Sequence, residues 1–136
     1  MNFVLDASVA VAWAFADEAH PVASAALALI GTDAGCVPSL WFEVRNVLIV
    51  NERRGQLRET DTALFLRNVA RLPIIVDRTP EEVSVLALAR RHGLTVYDAS
   101  YLELAQRSAA PLATLDITLA QAAQRDNISL IGPEAA

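Results

Sequence analysis

Short apolar runs alternate along the chain with stretches whose apolar residues recur every third or fourth position. The runs are "NFVL" (2–5), "GCV" (35–37), "PIIV" (73–76), "LTVY" (94–97), "PLATL" (111–115) and "ISLI" (128–131). Helical periodicity lies between them, near 8–15, 20–31, 39–54, 59–71, 79–92, 98–109 and 117–125. Strands alternating with helices predict an α/β fold, a three-layer αβα sandwich around a central, mostly parallel sheet. The runs are almost continuously apolar, as strands covered on both faces should be. Gly55 and Gly93 read as helix stops, Pro38 and Pro80 as helix starts. No repeat, low-complexity linker or composition break interrupts residues 1–131, so one domain is expected, with "GPEAA" (132–136) as a short tail.

Acids punctuate this pattern in a regular way. "FVLD" closes on Asp6, "LTVYD" on Asp98 and "LATLD" on Asp116, each where a strand is expected to give way to a helix. An aspartate at such a junction can cap the helix by accepting hydrogen bonds from its first free N–H groups. In an open parallel sheet the same carboxyl edge is where ligands bind, and neighbouring strands are only about 5 Å apart. Asp98 can cap through one oxygen and reach a cation with the other. The remaining acid of interest sits inside a helix. In "PSLWFEVRNVLIV" the stripe Leu40, Glu43, Val47, Val50 puts Glu43 among apolar residues. A carboxylate there is costly unless it is paired, as with an Arg, or bound to a metal. Asn46, one turn on, is placed to hydrogen-bond into the same region.

Composition adds constraints. The chain has 136 residues, 54% hydrophobic and 20% charged, with no apolar run long enough to span a membrane. Its N-terminus reads as a strand and not as a signal peptide. The single cysteine, Cys36, excludes an internal disulfide and a cysteine-based zinc site, and reads as a buried apolar residue in a reducing, cytoplasmic setting. A net charge of −5 argues against a nucleic-acid binder. All eleven basic residues are Arg, however, and if four of the sixteen acids surround a cation the remaining surface is nearly neutral. Two carboxylates about 4 Å apart repel by about 4 kcal/mol at an effective dielectric near 20. Four converging acids therefore need protons or cations. Hard oxygen donors, with no cysteine or well-placed histidine beside them, favour Mg2+ or Mn2+.

The other polar and aromatic residues carry less chemistry. His20 in "DEAHP" reads as solvated and His92 in "ARRHG" as a helix C-terminal residue. Arg53, Arg54 and Arg58 follow the Glu43 helix and form either one rim of an RNA-binding surface or an ordinary solvated turn. Arg90–Arg91 reads as a helix C-terminal charge pair, and Asp17–Glu18 as a solvated loop. Trp13, Phe15, Trp41 and Phe42 are expected in the core or an interface, and Tyr97 and Tyr101 to pack one turn apart.

Taken in order, "LDAS" (5–8), "FEVRNVL" (42–48), "YDASYLELA" (97–105) and "LATLD" (112–116) resemble the acidic motifs of PIN-domain ribonucleases. Length and element order are similar to the VapC toxins of bacterial toxin–antitoxin pairs, over about residues 2 to 131. The resemblance implies a PIN-like fold and a Mg2+-dependent endoribonuclease, the toxin of a type II pair. Asp6, Glu43, Asp98 and Asp116 would be its metal-binding and catalytic acids. Ser8 and Thr114 match the family's small hydroxyl residues, which would orient waters or phosphate oxygens. Metal-activated water would cut the phosphodiester and leave a 5′-phosphate and a 3′-hydroxyl. A homodimer and a cognate antitoxin are the implied partners. The alternative is a non-catalytic PIN-like RNA-binding or scaffold module.

Overall fold

The computed structural model describes residues 1–15, 20–31 and 34–132. Its elements are β1 (Phe3–Leu5), α1 (Ala7–Ala12), α2 (Pro21–Leu29), β2 (Ala34–Cys36), α3 (Ser39–Arg53), α4 (Glu59–Val69), β3 (Ile74–Val76), α5 (Glu82–His92), α6 (Val96–Ser108), β4 (Leu112–Ala113) and α7 (Ile117–Arg125). The strands form one sheet in the order β3-β2-β1-β4, every pair parallel. Parallel neighbours need crossovers, and the helices between the strands supply them. This is the expected α/β architecture.

Burial explains the order. All of β1 (Phe-Val-Leu) is buried, and β1 lies inside the sheet. Helix α6 packs on β1 and β4, with α5 and α7 against it, while α1 packs on α2 and α3. Val9, Leu48, Leu102, Leu104 and Leu119 have no exposed surface and fill the layers on the sheet. Gly93 ends α5 in the left-handed conformation, φ 64°, which glycine adopts without a Cβ penalty.

Four expectations need correction. "LTVY" is not a strand. Thr95 caps α6 instead, its Oγ1 accepting the Asp98 N–H at 3.1 Å, and the helix starts at Val96. Val96 and Tyr97 are exposed, so nothing would have covered a strand there. "ISLI" contributes only a single parallel bridge, Leu130 to Leu112, at the outer side of β4. Pro80 does not start α5; Glu81 caps it, accepting from Ser84 N at 3.2 Å. Strand β3 is not covered on both faces: it is an edge strand with Ile75 and Val76 exposed, and α4 has no buried residue. Asp17–Glu18 and tail residues 133–136 lie outside the described residues.

Candidate active site

Asp6 follows β1 at the carboxyl edge of the sheet and is 5% exposed. It occupies the N-cap position of α1, yet its side chain does not cap that helix. Its Oδ2 instead accepts from Ser8 Oγ at 2.6 Å and Thr114 Oγ1 at 2.7 Å. Each hydroxyl is itself fixed by a backbone donor. Leu115 N–H reaches Ser8 Oγ at 2.9 Å and Asp116 N–H reaches Thr114 Oγ1 at 3.0 Å. An oxygen that accepts from an amide must turn its only proton elsewhere, and here both protons go to Asp6. Ser8 and Thr114 thus hold the carboxylate through their protons. Burial raises the Asp6 pKa; the Ser8 and Thr114 hydroxyls and the Ala7 amide oppose that rise, and the charge of Asp116 adds to it.

Asp116 does cap its helix. Its Oδ1 accepts from Thr118 N at 2.9 Å and Leu119 N at 3.2 Å, at the start of α7. Asp98 comes to the same edge by another route, from the first turn of α6, where Thr95 is the cap. Its pKa is raised, first by burial and then by the charges of Asp6, Asp116 and Glu43. Asp98 therefore feels the charge of the other three acids, and Asp6 that of Asp116.

Glu43 lies in α3 beside the buried stripe Leu40, Val44, Leu48, and is half-buried. Ser39 Oγ donates to its Oε1 at 2.9 Å and Tyr101 OH to its Oε2 at 3.0 Å. Tyr101 is fully buried. Burial, followed by the Glu43 and Asp6 charges, raises the pKa of the phenol far above its usual value, so it remains a proton donor. Sequence reasoning missed both partners. Ser39 was legible as the residue one turn before Glu43. Tyr101 was not, because its contact depends on how α3 meets α6.

Among the described residues none of the four acids forms an ion pair. Nor, among those residues, do three His, Cys, Asp or Glu side chains stand gathered as a metal cage. The donor set nevertheless fits a hard divalent cation: carboxylate oxygens only, partly buried, and with no Arg paired to them among the described residues. Asn46 is exposed next to Glu43. Arg53 and Arg54 are exposed at the far end of α3, roughly 15 Å along the helix from Glu43 at 1.5 Å per residue. Arg58 is also exposed, 3.5 Å from Asp61. The structure therefore does not bring Arg53 and Arg54 to Glu43, and the acid that Arg58 meets is Asp61.

The remaining candidate groups have structural partners. His20 caps α2, its Nδ1 accepting from Val22 N at 3.2 Å. His92 Nε2 lies 3.0 Å from Asp126 Oδ2, which also contacts Gln106. Burial pushes the Cys36 thiol up to about 11, leaving it neutral. Trp13 Nε1 donates to Ala23 O at 2.9 Å and the side chain packs on the core. Trp41 and Phe42, by contrast, are exposed, and so is Tyr97.

A parallel sheet of this order with Asp6 and Asp116 following its inner and outer strands β1 and β4 defines a class, and residues 3–125 match the PIN domain. The chain belongs to the PIN-domain family. It is 33% identical over 124 residues to Ribonuclease VapC3 of Pyrobaculum aerophilum, a match covering 89% of this chain and 94% of that protein. It is also similar to the crystal structure of PAE2754 from Pyrobaculum aerophilum, with a TM-score of 0.71, 25% identity, and coverage of 90% of this chain and 84% of that one.

Proposed function

We propose that the protein is a metal-dependent endoribonuclease, the toxin of a type II toxin–antitoxin pair, acting in the cytoplasm as a homodimer restrained by a cognate antitoxin. The observation that carries this reading is the convergence of charge on Asp98, which feels Asp6, Asp116 and Glu43, while none of the four carboxylates forms an ion pair among the described residues. Similarity to a protein named as a ribonuclease supports the choice of substrate. The complete set of acids disfavours a non-catalytic module. No helix among the described residues is long and apolar enough to cross a membrane.

Asp6, Glu43, Asp98 and Asp116 would hold Mg2+ or Mn2+. Such an ion supplies Lewis acidity, making water a nucleophile at neutral pH and offsetting charge that builds on the phosphate. The chain's own groups prepare the site. Ser8 and Thr114 fix Asp6 from one side, Ser39 and Tyr101 fix both oxygens of Glu43, and α7 fixes Asp116. Held this way, the acids lose little conformational freedom when an ion and a phosphodiester arrive. Asn46 would hydrogen-bond near Glu43, while Arg53, Arg54 and Arg58 would meet the RNA backbone some distance from the cut.

The test is incubation of purified protein with total RNA in Mg2+ and in EDTA. Cleavage to 5′-phosphate and 3′-hydroxyl ends should require Mg2+, and Asp6→Asn should lower it at least about 100-fold, as loss of a group central to transition-state stabilisation does. Full activity in EDTA would rule the mechanism out.

A further inference from the structure

Beside Glu43 the surface opens into a hollow of about 360 Å3 lined by Ser39, Phe42, Glu43, Asn46 and Tyr97. Its two aromatic walls are 71% and 65% exposed for Phe42 and Tyr97 respectively. Each stands next in sequence to one of the acids: Phe42 precedes Glu43, and Tyr97 precedes Asp98. The opposite side of α3 is spent on the core through Leu40, Val44 and Leu48, so the exposure of Phe42 is not forced by a lack of apolar surface to cover it.

The Phe42 ring is also braced. Trp41 meets it edge-on, with centroids 5.0 Å apart and planes at 69°. The Arg45 guanidinium lies 3.9 Å over the Trp41 ring, and its Nη1 donates to Trp41 O at 3.1 Å. An exposed aromatic ring held by neighbours on its own helix is a preorganised platform that costs little entropy to use. Aromatic faces, an arginine and an amide together form the chemistry by which single-stranded nucleic acid is bound. Bases stack on the rings, the cation attracts the backbone, and the amide reads a base edge.

We propose that this hollow takes an unpaired nucleobase of the RNA, flanking the phosphodiester at the acid group. The base stacks against Phe42 and Tyr97, and Asn46 reads its edge. The proposal rests on the ribonuclease reading of the acid site. The volume is that of a single-ligand cleft, about 300–1,000 Å3. The polar lining of Ser39, Glu43 and Asn46 likewise suits a base edge better than an apolar helix face. A duplex cannot present a base face here, so the subsite selects single strands, loops or bulges.

The test uses the full chain with Mg2+ and a short single-stranded oligoribonucleotide. Phe42→Ala and Tyr97→Ala should each raise KM roughly tenfold, the loss of one base–aromatic stack, with the effect in KM and not in kcat. Phe42→Leu, which keeps apolar bulk and guards against misfolding, should lose as much as Phe42→Ala. Tyr97→Phe should stay near wild type. Abasic sites placed in turn beside the cut should raise KM for the wild type at one position and do nothing there to the Phe42→Ala/Tyr97→Ala double variant. An unchanged KM in a folded double variant that still cuts RNA overturns the subsite and leaves the ribonuclease reading standing. A double variant whose sedimentation shows a lost dimer, with abasic sites still raising its KM, assigns the face to a second copy and also overturns it. No Mg2+-dependent cleavage by the wild type removes both.

Discussion

Asp77 stands at the end of β3 as Asp6 stands at the end of β1. Each lies one residue past its strand and extends the ladder with its own amide, Asp77 N to Cys36 O at 2.8 Å and Asp6 N to Ala113 O at 3.1 Å. Their surroundings then diverge. Asp77 receives Arg107 through both oxygens, at 2.9 and 3.1 Å, and the same guanidinium holds Glu103 at 2.7 and 3.1 Å. Arg107 holds the Asp77 carboxyl below the usual range, against the pull of desolvation and with help from Thr79. Burial holds Asp6 above it. An acid closing a parallel strand is thus not in itself a mark of chemistry. What separates the two regions is whether the chain provides the counter-charge. Around Arg107 it does, and the result ties α6 to the end of β3. Around Asp6 it does not, among the described residues.

Removing the built-in counter-charge should have the largest effect on folding. Arg107→Ala leaves Glu103, whose side chain is 3% exposed, without its partner. Breaking a buried pair costs about 3–5 kcal/mol. Because the Arg107 side chain is 35% exposed, the expected loss is smaller, about 2 kcal/mol, measured by urea unfolding. A loss below about 0.5 kcal/mol would show that the pair is merely a surface contact.

A subtler change sharpens the contrast from the other side. Tyr101→Phe removes the hydroxyl that orients Glu43 while keeping the ring that fills the core. Cleavage should fall roughly tenfold, in line with about 1.4 kcal/mol of lost positioning, and Mn2+ affinity measured by calorimetry should fall with it. Wild-type Mn2+ affinity in a folded variant would show that Tyr101 only packs.

The smallest expected effects are opposite in sign. In EDTA, Asp98 has a raised folded pKa. Its contribution to stability is therefore complete below the ordinary aspartate value of about 4 and is lost as pH rises through the folded value. Asp98→Asn should gain on the wild type as pH rises from about 4. Asp77 is depressed, so its contribution is present above about 4 and is lost as pH falls through the folded value. Asp77→Asn should trail the wild type near neutrality and converge with it in acid. Urea midpoints across pH for both variants check this, and parallel curves would erase the distinction between the regions.

The same distinction limits what the sequence could show. The four strands of the sheet were legible as apolar runs between helical patterns, and so were the acids that follow β1 and β4. "LTVY" misled, because a β-branched and aromatic run reads as a strand until Thr95 is seen to cap a helix through the Asp98 amide. Asp98 still reached the edge, since α6 begins there. "PIIVD" closes on an acid just as "FVLD" does, and only the tertiary arrival of Arg107 tells them apart. Tyr101 looked like packing because the path of its hydroxyl to Glu43 crosses between two helices distant in sequence. The tertiary contacts between α3 and α6 hold information that no periodicity carries.

The most direct measurement is a thermal melt at neutral pH with and without Mn2+, on the wild type and on Asp98→Asn. If the acids await a cation, Mn2+ raises the wild-type Tm by several degrees, because an ion that binds only the folded state stabilises it, and it moves Asp98→Asn far less. Equal shifts in both proteins, or none in the wild type, would contradict the account.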